Sequence, residues 1–441
     1  MSITTVNPFT GKELAKYQEN KTQEIAKIFN EVNSAQERWG KDLDTRLEYM
    51  KNQLKPSLQK KLEELAFVMS SEMGKTISQS RAEINKTIKL IDYVLENAEN
   101  FLANDIIKTE ADSSYVKFEP LGTIFLIMPW NYPLWQAMRA AIPAMVAGNG
   151  IVLKHASIVS GSARKIEEIA DTPLFRTIIS PGSSALESIK YSNGVSFTGS
   201  TKAGSQIAME AGRNLKKAVL ELGGSDPFIV LPSADVDKTA KQAAFGRLQN
   251  NGQSCIASKR FIVHEKIFDQ FYESMMNEFQ KVIVGDQLDD KTFLGPLSSM
   301  EQAQTVRAQI KELRSMGEVS STGSDNGAIV SPTIAVSREP YTDEIFGPVA
   351  VLRKFRTTEE CARIANETPF GLGSSIWGDP EEASALIPEI KAGMVFVNKI
   401  VASDPRVPFG GVKNSGYGRE LSRYGMLEFT NIKTVWVQNH Q

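Results

Sequence analysis

The sequence has little cysteine and little histidine, two of the first and three of the second in 441 residues. Two cysteines cannot build a disulfide framework, so the chain reads as a protein of a reducing compartment. Neither sign of charge is in excess: 50 Lys and Arg stand against 52 Asp and Glu, a formal net charge of −2. Without a positive surplus or a basic run, a surface that tracks nucleic-acid phosphates is excluded as the main theme. No apolar run approaches the roughly 18 residues of a membrane span. The opening Met1-Ser2-Ile3-Thr4-Thr5 also lacks a basic segment followed by an apolar one. The expectation is a cytoplasmic enzyme with neither membrane nor nucleic acid as partner. What the chain does have is material for a large core, with 41% hydrophobic and 23% charged residues. At about 150 residues per domain its length allows two or three domains.

The first hundred residues are rich in helix formers, and Ile84, Ile88, Ile91 and Leu95 recur at the spacing of one buried helical face. From Gly122 onward, short apolar runs alternate with helical or turn-rich segments: 122–128, 150–153, 176–179, 194–198 and 227–231. That alternation predicts an α/β protein with a parallel, doubly wound sheet. Candidate strands at 260–263 and 348–352 predict a second α/β domain beyond Gly223-Gly224. Thr434 to Val437 is strand-like and isolated, and so is expected to pair with a distant segment or another subunit.

Cys255 lies in Asn250-Asn251-Gly252-Gln253-Ser254-Cys255, a polar, glycine-containing setting. A lone cysteine is often a small core filler; this setting favours a nucleophile. Cys361 has the surroundings of a helix face and reads as core. A thiolate needs a base or a positive neighbourhood. The histidines support a Cys/His pair poorly: His264 lies on a predicted strand, His155 follows one, and His440 is in the tail. Phe197 to Gly204 places a glycine-containing turn between strand and helix, where backbone N–H groups favour phosphate, yet it is neither G-x-G-x-x-G nor a P-loop. In Pro129-Trp130-Asn131-Tyr132-Pro133, two prolines make a rigid turn that could present the Asn131 amide as a donor. Glu221, before the glycine pair, is either a solvated acid or a tuned base. No metal is expected.

Taken in order, these segments resemble the aldehyde dehydrogenase superfamily over nearly the whole chain. The resemblance is carried by Asn7-Pro8 with Thr10-Gly11, Trp130-Asn131, Lys154, Phe197-Thr198-Gly199-Ser200 and Glu221-Leu222-Gly223-Gly224. It continues through Gly252-Gln253-x-Cys255, Glu344-Ile345-Phe346-Gly347-Pro348 and Pro408-Phe409-Gly410-Gly411 with Gly418-Arg419-Glu420. Within it, Lys154-His155-Ala156, Ser225-Asp226-Pro227-Phe228 and Ala402-Ser403-Asp404 are similar to the succinate-semialdehyde dehydrogenase branch of bacteria and archaea. The resemblance implies a Rossmann-like cofactor domain of residues 1–101 and 121–223 and a catalytic domain of 224–410. It also implies a small β oligomerisation arm of 102–120 and 432–441, with 411–431 returning to the cofactor domain. A homodimer or homotetramer is the expected assembly.

The chemistry implied is NAD(P)-dependent oxidation of an aldehyde to a carboxylate. Cys255 attacks, the Asn131 amide and the Cys255 N–H hold the developing alkoxide, Glu221 activates water, and Glu420 relays protons. For the cofactor the resemblance points to Trp130, Lys154, Ser157, Gly199, Ser200, Leu222, Glu344 and Phe346. Many relatives carry Glu at the position of Ser157, where it repels a ribose phosphate. Its absence predicts that NADP is accepted and preferred over NAD. Ala140 replaces a common Lys, and the shortened stretch between Ser157 and Gly194 is expected to open the adenine pocket. For a distal substrate carboxylate the candidates are Arg139, Gln249, Ser403 and Arg406. Gln249 stands where some branches have Arg, which leaves neutral or aromatic aldehydes open as substrates. Acyl transfer to coenzyme A, a Cys/His hydrolase and a non-catalytic protein are the alternatives.

Overall fold

The computed structural model describes residues 2–439; His440 and the end of the 432–441 stretch lie outside the described residues. One sheet has six strands in the order Gly416–Tyr417, Lys217–Glu221, Gly194–Thr198, Thr123–Met128, Gly150–His155 and Phe175–Ile178. All run parallel except Gly416–Tyr417. Thr123–Met128 and Gly150–His155 are buried at every residue, which is why they read as unbroken apolar runs rather than alternating ones. The chain builds outward from Thr123–Met128 first to one side and then to the other. The strand order therefore reverses beside it, and the crevice at the carboxyl ends there is where ligands bind in such sheets.

The second sheet has seven strands, in the order Gly317–Ser321, Thr333–Ser337, Val349–Phe355, Ser258–His264, Asp226–Val230, Gly373–Trp377 and Met394–Val397. Only Gly317–Ser321 is antiparallel. Gly223-Gly224 joins the two sheets, between Lys217–Glu221 and Asp226–Val230. A Cβ on Gly224 would stand 2.6 Å from the Cys255 carbonyl oxygen and one on Gly223 2.7 Å from Glu344 Oε2, so the junction has no room for side chains. The isolated strand of the sequence reading is Thr430–Val437. It pairs antiparallel with Ser113–Pro120, which pairs in turn with Asp105–Ile106.

The helical face Ile84, Ile88, Ile91 and Leu95 lies on Ile77–Leu102, the first three buried and Leu95 partly so. It packs on Pro133–Val146, a helix buried on every side. Each side chain of that kind removed from water contributes about 1.5–3 kcal/mol. The opening departs from the helical expectation: Ser2–Val6 and Glu13–Gln18 form an antiparallel hairpin. Asn7 Oδ1 accepts from Phe9 N at 2.9 Å and Thr10 N at 3.2 Å, and Gly11 turns the chain at φ +70°. That Asn-centred turn outweighs the helix propensity of its neighbours.

Candidate active site

Cys255 lies in the connection between the helix Val236–Leu248 and the strand Ser258–His264. Asn250 and Asn251 have φ of 53° and 56°, a left-handed conformation that asparagine tolerates better than most residues. Their side chains hold it. Asn251 Nδ2 donates to the carbonyls of Gly74 and Pro296 at 2.8 Å, and Asn250 Nδ2 to those of Asn131 at 2.8 Å and Gln253 at 3.0 Å. The fully buried Arg247 donates to the carbonyls of Gly252 at 2.6 Å, Ser258 at 3.3 Å and Gly347. Lys259 Nζ donates to the carbonyls of Gly224 and Cys255, both at 2.6 Å. The Cys255 loop is thus a lattice of satisfied carbonyls. Against it, Asn131 spends one Nδ2 proton on the Gln253 carbonyl at 3.0 Å, and the Cys255 N–H has no acceptor among the described residues.

The helix Pro133–Val146 starts at a proline, and its first free N–H groups, those of Leu134 and Trp135, donate to Glu83 Oε1 at 2.9 and 2.8 Å. Glu83 in turn pairs with the buried Lys75. A carboxylate at this end suits the helix dipole. Two turns on, the helix carries Arg139 into the interior, where a charge requires partners. Its Nη2 lies 3.4 Å from Glu221 Oε2 and its Nε 2.6 Å from Glu420 Oε2, and its guanidinium stacks 4.5 Å over the Phe409 ring. Glu221 ends the strand Lys217–Glu221, and Glu420 is brought in by paired backbone bonds with Phe409, each 2.8 Å. One guanidinium between two buried carboxylates leaves the cluster short of positive charge. Burial, opposed by Arg139 and assisted by Glu420, raises Glu221 to about 7. Burial also raises Glu420, and burial together with Glu221 pushes the Cys255 thiol well above its ordinary value.

Of the residues expected to hold the cofactor, Trp130, Lys154, Ser157, Gly199, Ser200 and Leu222 end or follow strands of the six-stranded sheet, and Glu344 and Phe346 precede the strand Val349–Phe355 of the other. Lys154 is buried near the end of its strand, has no ion-pair or hydrogen-bond partner among the described residues, and has its proton affinity lowered by burial alone. Ser200 caps the helix Thr201–Arg213 by accepting from Ala203 N at 3.3 Å. A Cβ on Gly199 would stand 2.6 Å from the Phe197 ring. Ser157 opens a short 3-10 turn beyond Lys154, and Leu222 is buried against Gly204. Trp130 and Phe346 meet edge to face at 5.6 Å. Glu344 Oε1 accepts from Lys259 Nζ at 2.8 Å and Gly224 N at 3.2 Å.

Beside Cys255 is a cavity of about 240 Å³ lined by Arg139, Gln249, Ser403, Phe409 and the aromatic rings of Tyr132 and Trp135. Two substrate candidates need correction. Arg139 reaches the cavity with its guanidinium committed to two carboxylates. Arg406 lies outside, its side chain 72% exposed and forked onto Asp404 at 2.8 and 2.6 Å. Neither His155, bonded to the Pro133 carbonyl, nor His264, which accepts from Lys266 N, lines the cavity, so no Cys/His pair forms there. Cys361 is fully buried on the helix Thr358–Asn366. The sequence reading missed Lys75, Lys86, Arg247 and Lys259, whose roles depend on what faces them across the fold.

The family model described as the aldehyde dehydrogenase family matches residues 1–435. A probable NADP(+) succinate-semialdehyde dehydrogenase of Synechocystis sp. is 40% identical over 454 residues, covering 99% of this chain and 100% of the relative. An aldehyde dehydrogenase of Paenarthrobacter nicotinovorans is 38% identical over 457 residues, with the same coverage of both chains. The crystal structure of succinic semialdehyde dehydrogenase from Streptococcus pyogenes in complex with NADP+ superposes with a TM-score of 0.95 at 35% identity, covering 99% of this chain and 100% of that one. A cysteine, a tuned carboxylate and an amide donor thus sit on a fold shared from end to end with these proteins, and the chain belongs to the aldehyde dehydrogenase family.

Proposed function

We propose that this aldehyde dehydrogenase oxidises succinate semialdehyde to succinate, with NADP preferred over NAD, through an acyl group held on Cys255. The observation that carries the mechanism is the Glu221 carboxyl, raised to about 7 and interacting with the Cys255 thiol. A base with that proton affinity is suited to work near neutral pH. Buried beside a carboxylate, Cys255 rests as the thiol and loses its proton to Glu221 as it attacks the aldehyde carbon. The remaining Asn131 amide proton and the Cys255 N–H stabilise the developing alkoxide. One such donor is worth about 100- to 1000-fold in rate. The chemistry supplied by bound NAD(P) is acceptance of the aldehyde hydrogen as hydride, which leaves a thioester on Cys255. Glu221 first passes the thiol proton on through Glu420, across Arg139; it then takes a proton from the water that attacks the thioester carbonyl, and the C–S bond breaks to release the carboxylic acid and the Cys255 sulfur, which regains a proton. The Glu221 base favours water over coenzyme A as the acyl acceptor.

The residues present fit the cofactor. Lys154 is a buried ammonium without an acidic partner among the described residues, and Ser200 stands at a helix N-terminus suited to phosphate. Lys154 and Ser157 would hold the adenosine ribose and its phosphate, with no carboxylate at Ser157 to repel it. Gly199 and Ser200 would hold the pyrophosphate, and Glu344 the nicotinamide ribose. Trp130, Leu222 and Phe346 would wall the nicotinamide side. The sheets support assigning residues 1–101 and 121–223 to the cofactor unit and 224–410 to the catalytic unit, with 411–431 returning through the strand Gly416–Tyr417. The stretches 102–120 and 432–441 are assigned to the arm, and its described edge strand Thr430–Val437 exposes Ile432, Trp436 and Val437. That exposed edge supports a homodimer or homotetramer, and two free cysteines agree with a cytoplasmic location.

The test is reduced-nicotinamide absorbance with NAD and NADP crossed against succinate semialdehyde and butanal. A higher kcat/KM for the charged aldehyde with NADP is expected. Equal rates for the two aldehydes would remove succinate semialdehyde as the substrate while leaving the family chemistry intact.

A further inference from the structure

A substrate with a distal carboxylate needs a cation in the cavity, and Arg139, the candidate read from the sequence, is already held by Glu221 and Glu420. The other cation lining the cavity is Lys86, on the helix Ile77–Leu102 one turn beyond Glu83. Its Nζ donates to Ser403 Oγ at 2.5 Å and lies 4.0 Å from the centre of the Trp135 ring, whose Nε1–H donates to the same hydroxyl at 3.0 Å. It has no carboxylate partner among the described residues. Glu83, the nearest on its own helix, is spent on Lys75 and on the N–H groups of Leu134 and Trp135, and Asp404, across the loop, is spent on Arg406. Lys86 is therefore an ammonium with unspent charge, sharing a cavity with the nucleophile and held over an aromatic wall.

We propose that Lys86 and Ser403 receive the distal carboxylate of the substrate, so that Lys86 rather than Arg139 selects an aldehyde acid over an uncharged aldehyde. This rests on the succinate semialdehyde reading above. The indole and the hydroxyl position the ammonium without neutralising it, and a carboxylate arriving there gains a charge-assisted bond in a partly desolvated site. The charged and titratable groups around the lysine agree. Burial and Arg139, from the facing helix, lower it to about 7, while Glu83, Cys255 and Asp404 draw it upward. A carboxylate bound there restores its proton.

The experiment compares kcat/KM for succinate semialdehyde and butanal, taken as a ratio, in wild type, Lys86→Met and Lys86→Arg. The expected result is a ratio at least about 10-fold lower in Lys86→Met and largely retained in Lys86→Arg, with the loss in KM for the charged aldehyde. A wild-type preference that survives Lys86→Met overturns the inference alone. A wild type without preference overturns the substrate reading and the inference with it. A second measurement needs no mutation. The succinate semialdehyde carboxylate is ionised throughout the neutral range and Glu221 acts on both aldehydes, so the wild-type ratio is expected to fall as pH rises through about 7, where Lys86 loses its proton. A ratio that rises with pH across that range overturns the proposal.

Discussion

Arg139 and Arg247 are both buried guanidiniums close to Cys255, and they are answered in opposite ways. Arg247 meets backbone carbonyls, of Gly252, Ser258 and Gly347, and although burial lowers it to about 9 it stays charged at neutral pH. Arg139 meets Glu221 and Glu420, two groups that can themselves gain or lose protons. A charge answered by fixed dipoles holds a shape. A charge answered by titratable groups sets a proton affinity. The Cys255 loop is built by the first device, and the Glu221 carboxyl beside it is tuned by the second.

Cys255 stands between the two, and Cys255→Ala should abolish aldehyde oxidation while cofactor binding, followed by nicotinamide fluorescence, persists. Loss of both would mean that the cysteine belongs to the scaffold side. Next in size, Glu221→Gln should lower steady-state turnover by about 100- to 10,000-fold and, because Glu221 also takes the Cys255 proton, slow the burst of reduced nicotinamide as well. It should also flatten a pH dependence of stability. With the carboxyl raised from 4.5 to about 7, the native state holds a proton that the unfolded chain releases, a contribution full below about 4.5 and lost as pH rises through 7. An unchanged denaturation profile over that range would place Glu221 outside the tuned cluster.

The two arginines can be set against each other directly. Arg247→Met leaves carbonyls without donors, at about 1–3 kcal/mol each, and should lower unfolding free energy by at least about 3 kcal/mol independently of pH. Arg139→Met leaves two carboxyls that can answer by taking up protons. Its cost should be smaller near pH 6 and grow with pH, and the rising limb of its rate profile should move up by about 1 to 3 pH units. Equal, pH-independent losses in the two variants would erase the distinction between scaffold and tuning.

Much of this was legible before the fold was known. The strands at 194–198 and 227–231, the helical face from Ile84 to Leu95 and the polar setting of Cys255 are local patterns, and local patterns follow from periodicities of two and 3.6 residues. The hairpin at 2–18 was hidden because its turn depends on one Asn side chain capping its own backbone. The strand Lys217–Glu221 was hidden because only three of its five residues are buried, so the residues by themselves left Glu221 open between a solvated turn acid and a tuned base. Lys86 gave no signal at all. A lysine on an amphipathic helix is ordinarily solvated, and only the loop carrying Ser403, 317 positions away, turns this one into a wall of the cavity.

What the sequence determined by itself is the alternation of strands and helices, the polar setting of Cys255 and the family to which the chain belongs, because these rest on spacing and residue type. What only the tertiary structure decided is who answers each buried charge. Whether Arg139 serves a substrate or a pair of carboxylates, and whether Lys86 faces water or a cavity, depends on contacts between segments far apart in the chain. The energy of a charge is set by what surrounds it in space rather than by what precedes it in sequence.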